Sequence, residues 1–300
     1  MRPRSVCHTA LSCALTLALA GTAAAGQSKL LLTGGVSSID GAAGGGLTPW
    51  AVTGTYATRG ECGATVALTR TSTRDYTLGV VGVAMSCNDR IELSLARQDF
   101  DTGSTGTALG LPGLHLKQTI AGLKLRIAGD AVLDSDHWMP QIAVGAQFKQ
   151  LDADGLAPTL DVLGAKRRGT DLTLHATKLF LAQGLLVNTT LRATKANQNG
   201  LLGFGGSAHS KLSVQPEASV AWLFVKHAAV GVEVRAKPDN LNPSALGAAL
   251  REDDWKDIFI AWAPNKHVSL TLAWVDLGRI VPGIATARQR GAYLSAQVGF

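Results

Sequence analysis

An alternation of apolar and polar residues with a period of two runs along most of this chain and limits the choice of fold more than any other feature. It is clearest over residues 268–274, where Val268, Leu270, Leu272 and Trp274 alternate with Ser269, Thr271 and Ala273. A period of two places successive side chains on opposite faces of a β-strand. No segment with the three-to-four spacing of an amphipathic helix interrupts the series. The chain is therefore predicted to be all-β.

The lengths of the connections distinguish a membrane barrel from a soluble β-sandwich. Short connections after residues 58, 87, 182, 225 and 263 alternate with long ones at 101–113, 151–169, 197–211, 238–254 and 278–289. Outer-membrane barrels have short periplasmic turns and long external loops. Two connections depart from this order, because 72–74 is short where a long loop is expected and 128–137 is the reverse. The favoured count is 14 strands, with 12 as the main alternative, at 29–37, 47–58, 61–71, 75–87, 90–100, 114–127, 138–150, 170–182, 185–196, 212–225, 228–237, 255–263, 267–277 and 290–300.

Composition and the N-terminus exclude other classes of protein. With 46% hydrophobic and 17% charged residues, the chain is too apolar to be disordered. Basic Arg2 and Arg4, an apolar stretch at 10–20 and Ala23-Ala24-Ala25 predict a signal peptide over 1–25, leaving 26–300 as the barrel. Removing two arginines from 28 basic residues leaves 26 against 22 acidic ones, a net charge of +4. That small excess, in an exported protein, argues against a nucleic-acid partner.

The distribution of polarity predicts where the chain folds. Polar residues occupy the inward faces of the predicted strands, and a closed barrel pairs every backbone group in lipid. The chain ends with apolar residues at alternate positions, a pattern that predicts delivery to the barrel-insertion machinery: Leu294, Ala296, Val298 and Phe300. Four tryptophans lie on apolar faces near strand ends, as in the aromatic belts of membrane proteins: Trp50, Trp222, Trp262 and Trp274. The predicted location is the outer membrane, reached through the periplasm, with the bilayer as a partner.

Several stretches of the sequence also resemble a known family. They are LLLTGGVSSIDGAAGGGLTPWA (30–51), ARQDFDTG (96–103), ATKLFLAQGLLVNTTLRATKANQNGLLGFGG (176–206), AKPDNL (236–241) and NKHVSLTLAWVDLG (265–278). They are similar to a proteobacterial family of secreted proteins described only as a domain of unknown function. The resemblance covers nearly the whole mature chain and implies an outer-membrane-type barrel. It implies no catalytic residue and no ligand.

A search for catalytic or metal-binding patterns yields no enzyme signature. Ser207 lies in a Gly-rich loop and lacks the strand-to-helix context of a nucleophile elbow. The histidines lack metal-ligand spacing, and His175 is expected to be a hydrogen-bonded lumen residue. The Gly-rich stretch 41–46 has no following helix or Lys-Ser/Thr, so it is interpreted as the first external hairpin loop. The sequence predicts no enzyme activity, metal or cofactor.

Charged residues whose place in the alternation puts them on the inward face are the most informative about function. On the lipid face each would cost about 2–4 kcal/mol at mid-depth, so they are predicted to line the lumen. They are Lys124, Arg126, Arg192, Glu233, Arg235, Lys237 and Asp257. Opposite charges could brace a closed interior. Alternatively, a basic ring could select small polar or anionic solutes in a channel. Near the external side, Lys166-Arg167-Arg168 could contact the phosphates of lipopolysaccharide or could be a charge cluster that only water solvates.

Two cysteines remain after removal of the signal peptide. Cys62 opens one predicted strand and Cys87 closes the next, and if they are opposed, the numbers of paired residues sum to 149. That register places Val66 opposite Val83 on the apolar face, and a slip of one residue would scramble the faces. The periplasm is oxidising, so a Cys62–Cys87 disulfide is predicted, the alternative being two unrelated small apolar residues.

Three functions remain open from the sequence. The first is a small-solute pore or transport-associated barrel. The second is a non-conducting structural or surface-interaction barrel. The third is a barrel enzyme that acts on lipids, which the lack of a Ser/His/Asp-type set disfavours.

Overall fold

A computed structural model describes residues 29–132, 138–242 and 248–300. The predicted signal peptide, 1–25, lies outside these ranges. Twelve antiparallel strands close into a barrel, which confirms the all-β membrane-barrel prediction. The chain forms β1 Val36–Ser37 and β2 Ala43–Gly44, followed by the barrel strands β3 Cys62–Thr73, β4 Thr77–Cys87, β5 Ile91–Asp101, β6 His115–Ala128, β7 Gln141–Asp152, β8 Arg168–Phe180, β9 Leu185–Thr194, β10 Ser213–Val225, β11 Ala228–Arg235, β12 Trp255–Trp262, β13 Val268–Asp276 and β14 Arg290–Gly299.

Each barrel strand pairs with its neighbours in sequence, and the last strand closes the ring on the first. In the closing pair of β14 and β3, Leu294 lies opposite Arg70 and Val298 opposite Val66. The C-terminal Phe300 continues this ladder, since its amide donates to the Ala64 carbonyl at 2.8 Å. Closure leaves no unpaired edge among the strands, as a bilayer requires.

The two ends of the barrel differ in the length of their connections. At one end, called the turn end, the connections after β4, β8, β10 and β12 are short. The other, called the loop end, carries longer connections with the helices α1 Gly103–Ala108 and α2 Ala157–Val162 and the 3-10 turns Asp154–Leu156, Asn197–Gly200 and Ala248–Leu250. The two exceptions expected from the sequence are present, since 74–76 is short at the loop end and 129–140 is long at the turn end.

The outer face is apolar and the inner face is polar, the inverse of a water-soluble barrel. Leu95, Ile258 and Leu272 on the outside are at least half exposed, whereas Arg192 and Thr190 on the inside are buried. An apolar band around a closed barrel needs a lipid environment. Among the residues that the structure describes, no helix is long and apolar enough to cross a bilayer.

The favoured count of 14 strands is wrong, and the alternative of 12 is right. The predicted strands 29–37 and 47–58 do not join the wall and lie inside the barrel. The first ends in β1, which pairs with β2 in the stretch between them. The Gly-rich stretch 41–46 lies there too and is not an external loop. Trp50, expected at the membrane interface, is 4% exposed inside the barrel. The physical reason is that these residues bury their backbone against polar groups of the wall, which a strand pattern does not reveal.

Apolar clusters close both ends of the lumen. At the turn end, residues such as Leu32, Trp50 and Phe259 pack together. At the loop end, side chains from the long connections, including Leu156 and Leu201, pack against Phe100 on the wall. The polar residues of the lumen are enclosed between these two clusters.

Candidate functional site

Residues 29–57, here called the plug, fill the lumen from the turn end. Lys29 begins the plug beside the β4–β5 turn, where its Nζ lies 2.5 Å from Asp89 Oδ1. Thr53, near the end of the plug, donates to the same carboxylate at 2.8 Å. Between them, the chain reaches far enough toward the loop end for Gln98, near the end of β5, to donate to the Ile39 carbonyl at 2.8 Å. The plug therefore enters and leaves at the same end of the barrel.

Side chains of both signs surround the apex of the plug at Asp40. Arg235 lies 3.0 Å from the Asp40 carboxylate, and Asn199 Nδ2 donates to it at 2.7 Å. Arg192 and Lys149 lie further away, at 3.6 and 3.7 Å. The full group, called the lumen cluster, has three cations and three anions: Lys149, Arg192, Arg235, Asp40, Asp171 and Glu217.

The wall acids of the lumen cluster complete its pairing. Glu217 accepts from Arg192 Nε at 2.5 Å and lies 3.1 Å from Arg235 Nε. Asp171 lies 2.9 Å from Lys149 Nζ. All of these side chains are almost completely buried. A buried charge is tolerated when it is paired and hydrogen-bonded, so the three cations need all three acids.

A second ion pair holds the backbone of the plug. Lys124 and Glu92 on the wall lie 3.0 Å apart. Glu92 accepts from the amides of Ala43 at 3.1 Å and Gly54 at 2.8 Å. Lys124 donates to the carbonyls of Ala43 at 3.2 Å and Val52 at 2.9 Å. These bonds satisfy backbone groups that the plug cannot pair within itself.

Glu233 holds the returning half of the plug. Its carboxylate accepts from the Leu47 amide at 2.8 Å and from Thr48 Oγ1 at 2.5 Å. A β-carbon at Gly45 would lie 2.4 Å from Glu233 Oε1, so a larger residue there would displace the carboxylate from this position. Asp257 lies opposite Glu233 on the adjoining strand, and among the described residues its buried Oδ1 has no hydrogen-bond partner.

The remaining predicted lumen charges lie at the two ends of the barrel. At the turn end, Arg126 pairs with Asp89 at 2.5 Å and Asp130 at 2.9 Å. At the loop end, Lys237 follows β11 and pairs with Glu252 at 3.0 Å. Burial lowers the pKa of Lys237, although the charge of Glu252 opposes the shift. Burial raises the pKa of Glu252 in the same pair.

The predicted cysteine pair lies in the hairpin of β3 and β4. Cys62 lies opposite Cys87, and Val66 opposite Val83, so the predicted register is confirmed. The two sulfur atoms form a disulfide in the structure. The C-terminal residues Leu294, Val298 and Phe300 are 41–57% exposed on the lipid-facing side.

Sequence reasoning missed the plug and most of its partners on the wall. It did not select Asp40, Glu92, Lys149, Asp171 or Glu217 as site residues. One signal was available, since inward-facing basic residues outnumber acids among the selected charges and need further anions. The Gly-rich segment around Asp40 could supply one, but the pairing depends on contacts between residues far apart in sequence.

Among the described residues, two cavities between the plug and the wall are small. They measure about 20 and 10 Å³. Each offers room for about one water molecule. Within the ranges that the structure describes, no group of three or more His, Cys, Asp or Glu side chains could hold a metal ion.

Comparison with solved structures finds outer-membrane barrels of low sequence identity. The NanC porin is 6% identical, with 78% of this chain and 98% of the porin covered at a TM-score of 0.49. An outer membrane channel from Pseudomonas putida F1 is 10% identical, with 84% and 96% covered at 0.45. The outer membrane phospholipase A from Escherichia coli is 8% identical, with 87% and 97% covered at 0.42.

Comparison of the sequence with protein-family models gives a more definite result. No curated protein matches the chain significantly. A family model matches residues 33–297, which include most of the plug, eleven complete barrel strands and most of β14. The chain belongs to the family described as protein of unknown function DUF3034.

Proposed function

We propose that this protein is an outer-membrane barrel that its own plug closes at rest, so that it does not conduct small solutes freely. The lumen cluster carries this proposal. Its charges balance only when Asp40 of the plug is in place beside Arg235, Arg192 and Lys149. Inward charges that brace one another in this way support the structural or surface-interaction alternative, rather than a ring that selects solutes.

The placement of the protein in the cell is part of the same proposal. Export through the periplasm would follow removal of residues 1–25, and insertion would use the C-terminal pattern ending at Phe300. The turn end would then face the periplasm and the loop end the exterior, as in other outer-membrane barrels. In this orientation the plug enters from the periplasmic side, and the basic residues before β8 lie at the level of lipopolysaccharide.

A gated transport barrel is the second candidate, and the path of the plug favours it. Lys29 and Thr53 meet the same Asp89 at the turn end, so the plug could leave as a loop without threading through the barrel. Polar contacts hold much of it, including those from Glu92, Lys124 and Glu233. In this form of the proposal, small polar or anionic solutes pass only after the plug is withdrawn.

An enzyme that acts on lipids is the least supported candidate. One His–carboxylate pair does lie on the outer face, with His115 Nδ1 2.6 Å from Asp99 Oδ1. Such a pair could orient a general base. In the described part of the chain, however, no serine, threonine or cysteine side chain is hydrogen-bonded to His115. We therefore propose no enzymatic activity.

Electrical recording in planar bilayers tests the closed state. The full mature chain, refolded and inserted, should produce no conductance steps at moderate voltage. A variant without residues 30–57 should conduct. Because that variant could fail to fold, Asp40→Ala provides a second test and should produce brief openings, while Asp161→Ala, at an exposed carboxylate of helix α2, should remain silent. Steady conductance from the full chain would refute the proposal. If the deletion variant forms an intact barrel and does not conduct, the gated transport barrel is ruled out.

A further inference from the structure

A groove of about 800 Å³ crosses the outer face of the barrel near the loop end, between β6 and the start of β10. Its apolar floor includes Ala121, Phe148 and Leu212. Three cations belong to its lining: Arg168 and Lys195 are accessible from outside, whereas Lys149 is buried and paired in the lumen cluster. Polar side chains line it as well, and no acidic residue does. The groove therefore combines an apolar surface with positive charge.

More positive charge borders the groove. Lys211 lies in the adjoining depression, which shares Leu212 with the groove. Lys166 and Arg167 directly precede β8 and are exposed. We call the groove and these five cations, Lys166, Arg167, Arg168, Lys195 and Lys211, the basic groove.

The cations of the basic groove have no acidic partner within the described ranges, unlike several other cations at the loop end. Arg279 lies 2.9 Å from Asp253, and Arg288 lies 2.8 Å from Asp276. Lys237 likewise has Glu252. Across the described ranges, none of the five cations of the basic groove lies within 4.0 Å of an acidic group. Their positive charge is therefore available to a ligand.

The level of the groove matches the boundary between hydrocarbon and headgroups. Leu172 lies on the same outward face of β8 as Arg168, closer to the turn end, and is 50% exposed. On nearby strands, Phe148 and Val214 are 59% and 63% exposed. Closer to the loop end than these residues, the apolar side chains give way to Arg168, Lys195 and Lys211. A ligand here would have its acyl chains on apolar residues and its charge beside the cations.

We propose that the basic groove binds lipid A, the phosphorylated glycolipid anchor of lipopolysaccharide, with its phosphate against Arg168, Lys195 and Lys211. The charge of the cations complements the phosphate, and Arg and Lys donate charge-assisted hydrogen bonds to phosphate oxygens. The acyl chains lie along Phe148 and Leu212. The inference rests on the proposed orientation, because lipid A occupies the external leaflet that the loop end would reach.

Native mass spectrometry of the refolded full mature chain in detergent tests this site. Purified bisphosphorylated lipid A is titrated against the wild type and against the triple variant Arg168→Ala, Lys195→Ala, Lys211→Ala. A basic residue beside anionic lipid contributes about fivefold in affinity, so three should contribute roughly a hundredfold. The matched control, with the same loss of charge at the turn end, is Arg59→Ala, Lys226→Ala, Lys266→Ala and should bind as the wild type does.

Two further probes identify the source of the phosphate. Dephosphorylated lipid A should bind at least tenfold more weakly to the wild type, and inorganic phosphate at millimolar concentration should not displace lipid A. Equal binding by the triple variant and the control, equal binding of the dephosphorylated lipid, or displacement by inorganic phosphate would each overturn the proposal. A conducting wild-type barrel that binds lipid A would contradict the closed state and leave the lipid site supported.

Discussion

Asp40→Ala removes the only acid that the plug contributes to the lumen cluster. The change leaves three cations, Lys149, Arg192 and Arg235, with two anions, Asp171 and Glu217, in a buried space. It also removes the acceptor of the Asn199 amide. Breaking a buried ion pair by deleting one partner typically costs about 3–5 kcal/mol, because the other charge stays buried without compensation. We expect a loss of unfolding free energy in that range.

Urea unfolding of the refolded protein in detergent micelles measures this loss, with the band shift in unheated gels and tryptophan fluorescence as two probes. Asp161→Ala, at an exposed carboxylate of helix α2, is the matched control and should change stability by less than about 0.5 kcal/mol. The double variant Asp40→Ala, Arg235→Ala removes one charge of each sign. It should be more stable than the sum of the single changes predicts, by about 1–3 kcal/mol. A loss below about 1 kcal/mol for Asp40→Ala, or strict additivity in the double variant, would refute the charge-balance argument.

Four further outcomes are expected. Trp50→Ala should destabilise the protein by about 3–5 kcal/mol in the same urea assay, because it empties a buried aromatic site in the lumen. Alkylation of the unreduced, denatured mature chain should label neither Cys62 nor Cys87, and their double replacement by alanine should cost about 3 kcal/mol for a loop of this length; labelling without reductant would exclude the bridge. A hydrogen bond from Arg279 holds the pKa of Asp253 at about 2. Because this pKa lies below the unfolded value, the contact stabilises the folded chain above about pH 4, and the stabilisation is lost as the pH falls toward 2. Hydrogen exchange over residues 277–289 should therefore accelerate in that pH range. The loss of protection should be at most about 1 kcal/mol, because the pair is largely solvated. Finally, unheated protein should migrate differently from boiled protein in gel electrophoresis, and identical mobility would contradict a closed barrel.

The wall of the barrel was predictable because its signals are local. Alternation in segments such as 268–274 indicates a strand between lipid and a polar interior, whatever the rest of the chain does. The register of β3 and β4 followed from the apolar pattern and from Cys62 and Cys87, since a slip of one residue would turn every side chain to the other face. The inward parity of Arg192 and Arg235 likewise followed from their strands.

Only the tertiary structure decided what fills the lumen. Residues 29–57 alternate poorly and contain many glycines, so the sequence offered strands and a loop as an interpretation, and the count of 14 followed from it. Asp40 becomes a site residue because three cations from β7, β9 and β11 converge on it. The free energy of that arrangement resides in contacts across more than a hundred residues of chain, between charges that no local pattern relates. Local periodicity therefore determined the barrel, whereas long-range electrostatic pairing determined that residues 29–57 lie in its lumen.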